Sequence, residues 1–317
     1  MCPVTPFKVV VTDALASDVE GERDLIAAAG GVIEVPVGSR DDILAAARDA
    51  DGILNTYFAL DRSAIGALAR CRIIARYGIG VDNVDITAAA EAGIAVTNVP
   101  DYCVEEVATH ALAYVLALVR RMKRADDLVR GGQWGVGHLG SIHRMSSLTV
   151  GLVGYGKIAR RLRELIAPFR CSVLVFDPYV REVADTEELV ALPELLGRSD
   201  IVSLHCPLTD ETRNMVNAST LAQMRDGAFV VNVSRGPLIV LDDLVEALRS
   251  GKLGGAGLDT FAVEPPPSAV LSAVPGLITS PHSAYYSSEA VQESRQKAAS
   301  QVIKALVTGE PLDYRVN

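Results

Sequence analysis

The chain has 317 residues, of which 49% are hydrophobic, and its formal net charge is −9. This length suits two domains that each bury a core, and the hydrophobic content argues against disorder. The acidic balance argues against a nucleic-acid partner, because the one basic cluster, Arg120 to Arg124, is followed at once by Asp126 and Asp127 and is typical of a solvated helix face.

The sequence shows no pattern typical of a membrane helix or a secretory signal. No apolar stretch reaches the roughly 18 residues of a membrane helix, and the first residues have neither a basic nor an apolar leader region. The five cysteines are scattered and form no C-x-x-C pair. We therefore expect a cytoplasmic protein without disulfides, without a metal site and without a membrane partner.

The first hundred residues alternate between strand and helix patterns. Strands are predicted at 8–12, 32–37, 53–58, 72–77 and 95–98, with helical patterns at 25–29 and 43–47. Strands that alternate with helices indicate a parallel sheet covered by helices, so an α/β fold is predicted. A long amphipathic stretch, 104–129, then predicts one helix that joins two domains.

The segment 149–159 predicts a nucleotide site. A buried strand at 150–153 leads into small residues with the spacing G-x-G-x-x-[GA], namely Gly154, Gly156 and Ala159, and a helical pattern follows. Gly154 permits a tight turn, Gly156 lets the backbone approach a pyrophosphate, and the helix N-terminus offers N–H groups to the phosphates. A structural turn that binds no nucleotide is the alternative interpretation.

Asp177 specifies the nucleotide further. It follows a second predicted strand, 173–176, eighteen positions beyond the motif. Its carboxylate would accept hydrogen bonds from the adenosine ribose hydroxyls and would repel a 2′-phosphate, which favours NAD over NADP. Arg181 lies close enough in sequence to weaken that preference.

The later strands of this second series are predicted at 201–205, 229–233, 257–259 and 277–280, and 287–307 is again helical. Because the nucleotide motif begins near residue 149, the first domain is not the nucleotide domain. The last helix is long enough to return to the first domain, which would make that domain discontinuous.

Three side chains of types that can take part in catalysis follow strand ends of the second series: Arg235, Glu264 and His282. Ligands of open α/β sheets bind at the carboxyl ends of the strands. A histidine can donate a proton to the oxygen of a carbonyl that is being reduced, a carboxylate can fix the tautomer of that histidine, and an arginine can hold a substrate carboxylate. Each side chain also has a non-catalytic explanation. Arg235 could form a structural ion pair, Glu264 could lie in a surface loop, and His282 could be a loop histidine whose nitrogens are hydrogen-bonded within the fold.

Over nearly its whole length the chain resembles the NAD-dependent, D-isomer-specific 2-hydroxyacid dehydrogenase family. It is most similar to the branch of phosphoglycerate dehydrogenase-like enzymes and C-terminal-binding-protein corepressors. The resembling segments are RYGIGVDNVD (76–85), NVPDYCVEEV (98–107), GLVGYGKIA (151–159), HCPLT (205–209), NVSRG (232–236), GLDTFAVEP (257–265) and SPHSAYY (280–286).

The resemblance implies two Rossmann/flavodoxin-like, doubly wound parallel-sheet domains with the active site in the cleft between them. Residues 1–102 and 285–317 would form the substrate-binding domain, and 103–284 the NAD-binding domain. A homodimer through the NAD-binding domains is expected.

The resemblance also implies residue roles. Arg235 would orient the substrate, Glu264 would pair with His282, and His282 would be the acid/base. The implied cofactor-binding residues are Gly154, Tyr155, Gly156, Lys157, Ile158, Asp177, Cys206, Pro207, Thr212, Val233, Ser234, Asp259, His282 and Ala284. The implied substrate-binding residues are Arg76, Gly78, Ile79, Gly80, Arg235 and Tyr285.

Two departures from the family pattern affect these expectations. Tyr285 stands three residues after His282, where the corepressor branch and many relatives have Trp, so the side-chain preference of the pocket does not carry over. The loop 135–147, with His138 and His143, also differs from the usual one. His110, in the long helix, is expected to serve helix packing rather than chemistry, and His205 to pack at its strand end.

The expected activity is hydride transfer between NAD(H) and a small 2-oxo acid or D-2-hydroxy acid. Two alternatives stay open. One is an NAD(H)-responsive, corepressor-like binding protein with vestigial activity. The other is a 3-phosphoglycerate dehydrogenase, which would need cationic side chains for the phosphate; Arg62, Arg72 and Arg76 are the candidates.

Overall fold

The computed structural model describes residues 6–14 and 18–317 and divides the chain into two compact units. The first unit consists of Met1–Tyr102 and Tyr286–Asn317, and the second of Cys103–Tyr285. Cys2 and the start of the chain, on which the leader-peptide expectation rests, lie outside the described residues.

The first unit is built on a sheet of five parallel strands in the order β2-β1-β3-β4-β5, the flavodoxin-like order. The strands are β1 (Phe7–Val11), β2 (Gly31–Glu34), β3 (Gly52–Asn55), β4 (Ile73–Arg76) and β5 (Ala95–Thr97). The helices between them are α1 (Glu20–Ala28), α2 (Arg40–Ala47), α3 (Arg62–Gly66) and α4 (Ile86–Glu91). The central strands β3 and β4 are buried at every position, as expected for a sheet covered on both faces.

The second unit begins with two helices, α5 (Val104–Val119) and α6 (Met122–Arg130). Its strands are β6 (Thr149–Val153), β7 (Ser172–Phe176), β8 (Glu188–Leu189), β9 (Ile201–Leu204), β10 (Ala228–Asn232), β11 (Leu253–Leu258) and β12 (Leu277–Thr279). The remaining helices are α7 (Lys157–Ile166), α8 (Leu192–Arg198), α9 (Ala218–Gln223), α10 (Leu241–Arg249) and α11 (Ser268–Leu271). Short 3₁₀ turns lie at Val136–Leu139, Met145–Ser147, Ala167–Phe169 and Gly236–Leu238.

All seven strands of this unit are parallel, in the order β12-β11-β10-β9-β6-β7-β8. Six of them reproduce the 3-2-1-4-5-6 order of a Rossmann sheet, and the order reverses between β6 and β9. The two parallel sheets confirm the predicted α/β class. None of the helices in the described ranges is both long and apolar enough to cross a membrane.

The last helix, α12 (Ser288–Ile303), returns the chain to the first unit and continues as a π-helical turn, Lys304–Thr308. It packs against α1 and against β3 and β4, and it buries Ala298, Ala299 and Val302 completely. Small side chains along this face let the helix approach the sheet closely.

The predicted single helix over 104–129 is wrong, because the chain breaks between α5 and α6. Arg121 adopts a left-handed conformation with φ 53°, which ends the ladder of helical hydrogen bonds. Its side chain donates to Gly254 O at 2.5 Å and lies over the Phe229 ring at 5.2 Å. Arg121 is therefore half-buried, so the expectation that the whole basic cluster is a solvated helix face is also wrong.

Candidate active site

The glycine turn after β6 requires glycine at its first position. Gly154 has φ +87°, and a Cβ placed on it would lie 2.6 Å from the backbone nitrogen of Cys206. A side chain would therefore be strained and would also collide with the end of the neighbouring strand, β9. The turn lies at the point where the strand order reverses, which is where open α/β sheets bind ligands.

The N-terminus of α7 is open to a ligand. Gly156 is its N-cap residue, and no side chain caps the first turn. A Cβ added to Gly156 would have no heavy atom within 4 Å, so space is available beside the backbone. Uncapped N–H groups at the end of a helix of 10 residues, next to open space, suit the two phosphates of a dinucleotide.

Asp177 joins the glycine turn to the end of β7. One carboxylate oxygen accepts a hydrogen bond from Tyr155 N at 2.8 Å, and the other accepts one from Tyr179 N at 2.9 Å. Each oxygen keeps a further lone pair, so the carboxylate has the capacity to accept two ribose hydroxyls. Arg181 is exposed.

The Tyr155 side chain is buried away from the turn, so only its backbone is available at the phosphate position. Its hydroxyl donates to Glu187 at 2.7 Å, and the Arg160 guanidinium lies over its ring at 4.4 Å. Burial and the neighbouring Glu187 raise the pKa of Tyr155 to about 12. Glu187 is a supporting residue that the sequence pattern does not reveal.

The loops after β9 and β10 flank the glycine turn. The Cys206 thiol is buried, and burial raises its pKa to about 11, so it is a packing group. The Thr212 hydroxyl donates to Pro207 O at 2.7 Å and holds this loop closed. Val233 is buried, and Ser234 donates its hydroxyl to Leu204 O at 2.9 Å.

The three candidate catalytic side chains follow β10, β11 and β12, which are adjacent strands. Gly236 lets the loop after β10 approach the loop after β11, because an added Cβ would lie 1.9 Å from Phe261 C. His282 Nδ1 lies 2.8 Å from Glu264 Oε2, and Glu264 Oε1 accepts a hydrogen bond from Phe261 N at 2.9 Å. Arg235 donates to Ser234 O at 3.0 Å.

Electrostatics at Glu264 favour the carboxylate. Burial alone would raise its pKa, but the hydrogen bonds from His282 and Phe261 N, together with the charge of Arg235, outweigh burial and hold the pKa of Glu264 below its ordinary value. A charged Glu264 accepts a hydrogen bond from the protonated Nδ1 of His282, which leaves Nε2 as the nitrogen that faces other partners.

Asp259 fixes the loop that carries His282. It is 1% exposed, and its carboxylate accepts hydrogen bonds from Ser283 N at 2.8 Å and Ala284 N at 2.9 Å. Its backbone oxygen accepts a hydrogen bond from His282 N at 2.8 Å. Asp259, expected beside the cofactor, thus also shapes the backbone of the acid/base candidate.

Two helix side chains join this arrangement. His110 Nε2 lies 2.9 Å from Ser280 Oγ, and Tyr114 OH lies 2.5 Å from the same atom. His110 therefore contacts a residue outside its helix, and its assignment to helix packing rather than chemistry stays a prediction. The available sequence signal is the spacing of His110 and Tyr114, which places both on one helical face; their partner is 170 residues away from His110 along the chain.

The expected substrate-side residues divide between the units. Tyr285 belongs to the second unit, and its ring centroid lies 6.2 Å from that of His282. Arg76 and the turn Gly78–Gly80 belong to the first unit, at the carboxyl end of β4.

The contacts of Arg76 lie within the first unit. Arg76 is 5% exposed and donates from Nε to Asn55 Oδ1 at 3.2 Å and from a terminal nitrogen to Thr56 O. Asn98 donates to Ile79 O at 2.7 Å and steadies the turn.

No group of three or more His, Cys, Asp or Glu side chains in residues 6–14 and 18–317 is arranged to hold a metal ion. The features of the second unit are those of a dinucleotide site: a constrained glycine, an uncapped helix and an acid at the next strand end.

Comparisons with known proteins agree with a dinucleotide site in the second unit. Residues 112–284 match the model of the "D-isomer specific 2-hydroxyacid dehydrogenase, NAD binding domain". The D-3-phosphoglycerate dehydrogenase of Mycobacterium tuberculosis is 34% identical over 98% of this chain, which spans 58% of that protein's length. The glyoxylate reductase of Thermofilum pendens is 34% identical over 88% of this chain and 85% of its own length.

A solved structure is similar over nearly the whole fold. It is the D-lactate dehydrogenase of Aquifex aeolicus in complex with NAD and lactic acid, with a TM-score of 0.85 and 27% identity over 95% of this chain and 96% of that chain. The sequence matches and this likeness confirm the predicted family and its cofactor, NAD. The chain belongs to the D-isomer specific 2-hydroxyacid dehydrogenase family, and its second unit carries that family's NAD-binding domain.

Proposed function

We propose that this protein is an oxidoreductase that transfers a hydride between NAD(H) and a small 2-oxo acid or D-2-hydroxy acid. The observation that supports this most directly is the 2.8 Å contact between His282 Nδ1 and Glu264, with Arg235 close enough to lower the pKa of that carboxyl. An acid/base pair beside a cation is the arrangement that reduction of a 2-oxo acid requires.

Each residue has a defined task in the proposal. When bound, NAD supplies or takes up the hydride. Arg235 holds the substrate carboxylate as an ion pair, and Tyr285 is the second substrate-side residue of its unit. Arg76 and the backbone of Gly78–Gly80 are the substrate-binding residues that we propose in the first unit. Glu264 holds the proton on His282 Nδ1, so His282 Nε2 gives a proton to the substrate oxygen in reduction and removes one in oxidation. Because oxidation releases a proton, a rising pH favours it.

A substrate without a phosphate is favoured by the contacts of three arginines in the first unit. Arg62 lies 2.5 Å from Glu91, and Arg72 donates to Ala305 O at 2.7 Å. Both side chains are engaged in contacts within their own unit, and so is the third candidate for a phosphate, Arg76, which donates to Asn55 and Thr56. A 3-phosphoglycerate dehydrogenase stays the second candidate because the mycobacterial relative carries that name.

The proposal includes a cytoplasmic homodimer that assembles through the NAD-binding units. The four cysteines in the described ranges form no disulfide, which suits a reducing compartment. The loop after α6 exposes Trp134 by 86% and Val136 by 84%, and exposed apolar groups of this size suit a protein interface. Analytical ultracentrifugation of the wild type and of Trp134→Ser tests the dimer. The mass of a monomer for both proteins would contradict it.

The decisive experiment is NADH oxidation with a panel of oxo acids: glyoxylate, pyruvate, hydroxypyruvate, 4-methyl-2-oxopentanoate and 3-phosphohydroxypyruvate. We expect turnover on at least one unphosphorylated acid. His282→Ala should lower kcat by about 10³-fold, as loss of a general acid does, while a fluorescence titration shows little loss of NADH affinity.

The other outcomes discriminate between the alternatives. Tight NADH binding with negligible turnover on every acid would favour the corepressor-like protein, and turnover confined to 3-phosphohydroxypyruvate would favour the phosphoglycerate enzyme. Turnover by His282→Ala at the wild-type rate would refute the assigned mechanism.

A further inference from the structure

We propose that His110 is a positioning residue for His282 and acts on it through Ser280 and Asp259. The inference rests on the proposed function, because it concerns the acid/base of that reaction. It adds a residue on α5 to the acid/base pair that lies at the strand ends of the second unit.

The backbone at His282 needs support. His282 has φ +53°, in the left-handed region that residues other than glycine adopt only at an energetic cost. The loop is held by three N–H groups that all point at Asp259: those of His282, Ser283 and Ala284. The N–H of His282 reaches the backbone oxygen of Asp259, and those of Ser283 and Ala284 reach its carboxylate, so the loop that carries the acid/base depends on where Asp259 and its carboxylate lie.

Asp259 is held in turn by Ser280. A carboxylate that is 1% exposed must have its oxygens satisfied by donors. The Ser280 hydroxyl donates to Asp259 Oδ1, which commits its only proton. Ser280 Oγ then has two lone pairs left, and His110 Nε2, which faces it from α5 at 2.9 Å, can donate to one of them. Tyr114 OH lies 2.5 Å from the same oxygen.

Helix α5 fixes the positions of these two side chains. His110 and Tyr114 stand one turn apart, with ring centroids 4.8 Å apart in an edge-on contact. Tyr114 donates to Leu258 O at 3.0 Å, and a Cβ added to Gly257 would lie 2.6 Å from its ring. Burial raises the pKa of Tyr114 well above its ordinary value, so its hydroxyl stays a donor. His110 therefore keeps the Ser280 hydroxyl proton directed at Asp259.

The consequence is a specific kinetic effect. Without the imidazole, the Ser280 hydroxyl can rotate away from Asp259, and the loop 280–284 loses part of its support. His282 would then leave its contact with Glu264 for a fraction of the time, so the proton-transfer step slows more than substrate or cofactor binding does.

The test compares His110→Ala, His110→Gln, Ser280→Ala and the double variant His110→Ala/Ser280→Ala. We expect His110→Ala to lower kcat by about 10- to 100-fold with KM and NADH affinity within about threefold. Gln offers an amide N–H at a similar reach and should restore most of kcat. Because His110 acts through Ser280, the double variant should lose no more than the worse single variant. His143→Ala, a change of the same kind at an exposed loop position, is the matched control.

A second readout does not need turnover. The chain has five histidines, so ¹⁵N–¹H spectra of histidine-labelled protein can be assigned by single variants. The Nδ1 signal of His282, which reports its bond to Glu264, should shift in His110→Ala and return in His110→Gln. The inference is refuted if kcat of His110→Ala stays within twofold of wild type, if Gln does not rescue, or if the double variant is additive. If no oxo acid is turned over, the proposed function fails, and the His282 signal alone decides: an unchanged signal in His110→Ala refutes the positioning role.

Discussion

Asp177 is the residue that we expect to decide between the two nicotinamide cofactors. Asp177→Asn keeps the size of the side chain but replaces the carboxylate that would accept hydrogen bonds from the ribose hydroxyls. It also removes the negative charge that would repel a 2′-phosphate. We expect NADH affinity to fall about tenfold, the effect of one charge-assisted hydrogen bond of about 1.5 kcal/mol. NADPH affinity should stay constant or rise.

Fluorescence titration with both cofactors measures this preference. Asp185→Asn is the control, because it removes an equal charge from an exposed position in the loop after β7. A preference for NADH that survives unchanged in Asp177→Asn would show that another group excludes the 2′-phosphate.

His205 makes a separate, pH-dependent contribution to stability. Its Nε2 lies 2.8 Å from Ser203 Oγ, and its Nδ1 is buried without a hydrogen-bond partner among the described residues. Burial lowers the pKa of His205 to about 4, below its ordinary value of 6.5. The unfolded chain therefore binds the proton first, so stability is fully present above pH 6.5 and is lost as the pH falls toward 4.

At pH 5 this loss amounts to about 2 kcal/mol. His205→Gln keeps a side-chain donor but does not titrate, so its free energy of unfolding should fall less than that of wild type between pH 7 and pH 5. Urea denaturation at the two pH values measures the difference, and equal losses for the two proteins would contradict the assignment.

The sequence identified residues whose type implies a role, but not the residues that support them. The types and strand-end positions of Arg235, Glu264 and His282 suggested a carbonyl-reducing site, and the glycine spacing suggested the nucleotide turn. Ser280, His110 and Glu187 act through contacts between distant parts of the chain, and no local pattern reports such contacts.

At the scale of elements, an ion-pair cluster fastens α12 to α1. Arg295 Nε donates to Glu22 at 2.7 Å, and a terminal nitrogen reaches Asp18 at 3.0 Å. The Glu22 side chain is 2% exposed, so it depends on this partner. We expect Arg295→Ala to destabilise the first unit by about 3 kcal/mol, because it leaves a buried carboxylate without its cation.

A matched arginine provides the comparison. Arg130 pairs with Asp126 at 2.6 Å on the surface of α6, where an exposed pair contributes little. Arg130→Ala should therefore leave the free energy of unfolding nearly unchanged. Urea unfolding measures both changes, and equal losses would mean that the α12 contact is not a buried ion pair in solution.

Element types were predictable, and element ends were less so. Every strand predicted from the sequence is present within a few residues, because buried parallel strands are short apolar runs between turn residues. The helix break at Arg121 was missed because the helical pattern continues across it. Tertiary contacts with Gly254 and Phe229 hold that residue left-handed.

At the scale of the whole molecule, the position of the nucleotide motif indicated the path of the chain. A motif near residue 149, with strands on both sides, implied that another domain precedes it, and the last helix was long enough to return. The strand orders were not predictable, because order depends on which edges pair in space. The second unit is a single uninterrupted segment, whereas the first is assembled from two.

This asymmetry leads to a prediction about the isolated second unit. Residues 103–285 contain the seven-stranded sheet, its apolar core and every residue expected to bind the cofactor. We expect the fragment to fold cooperatively and to bind NADH. It should not turn over oxo acids, because Arg76 and Gly78–Gly80 belong to the other unit. Circular dichroism and NADH fluorescence measure the two properties, and the fragment carrying Asp177→Asn controls for specific binding. A fragment that unfolds without cooperativity, or whose affinity for NADH is the same with and without the Asp177→Asn change, would show that the cofactor site is not contained in this segment.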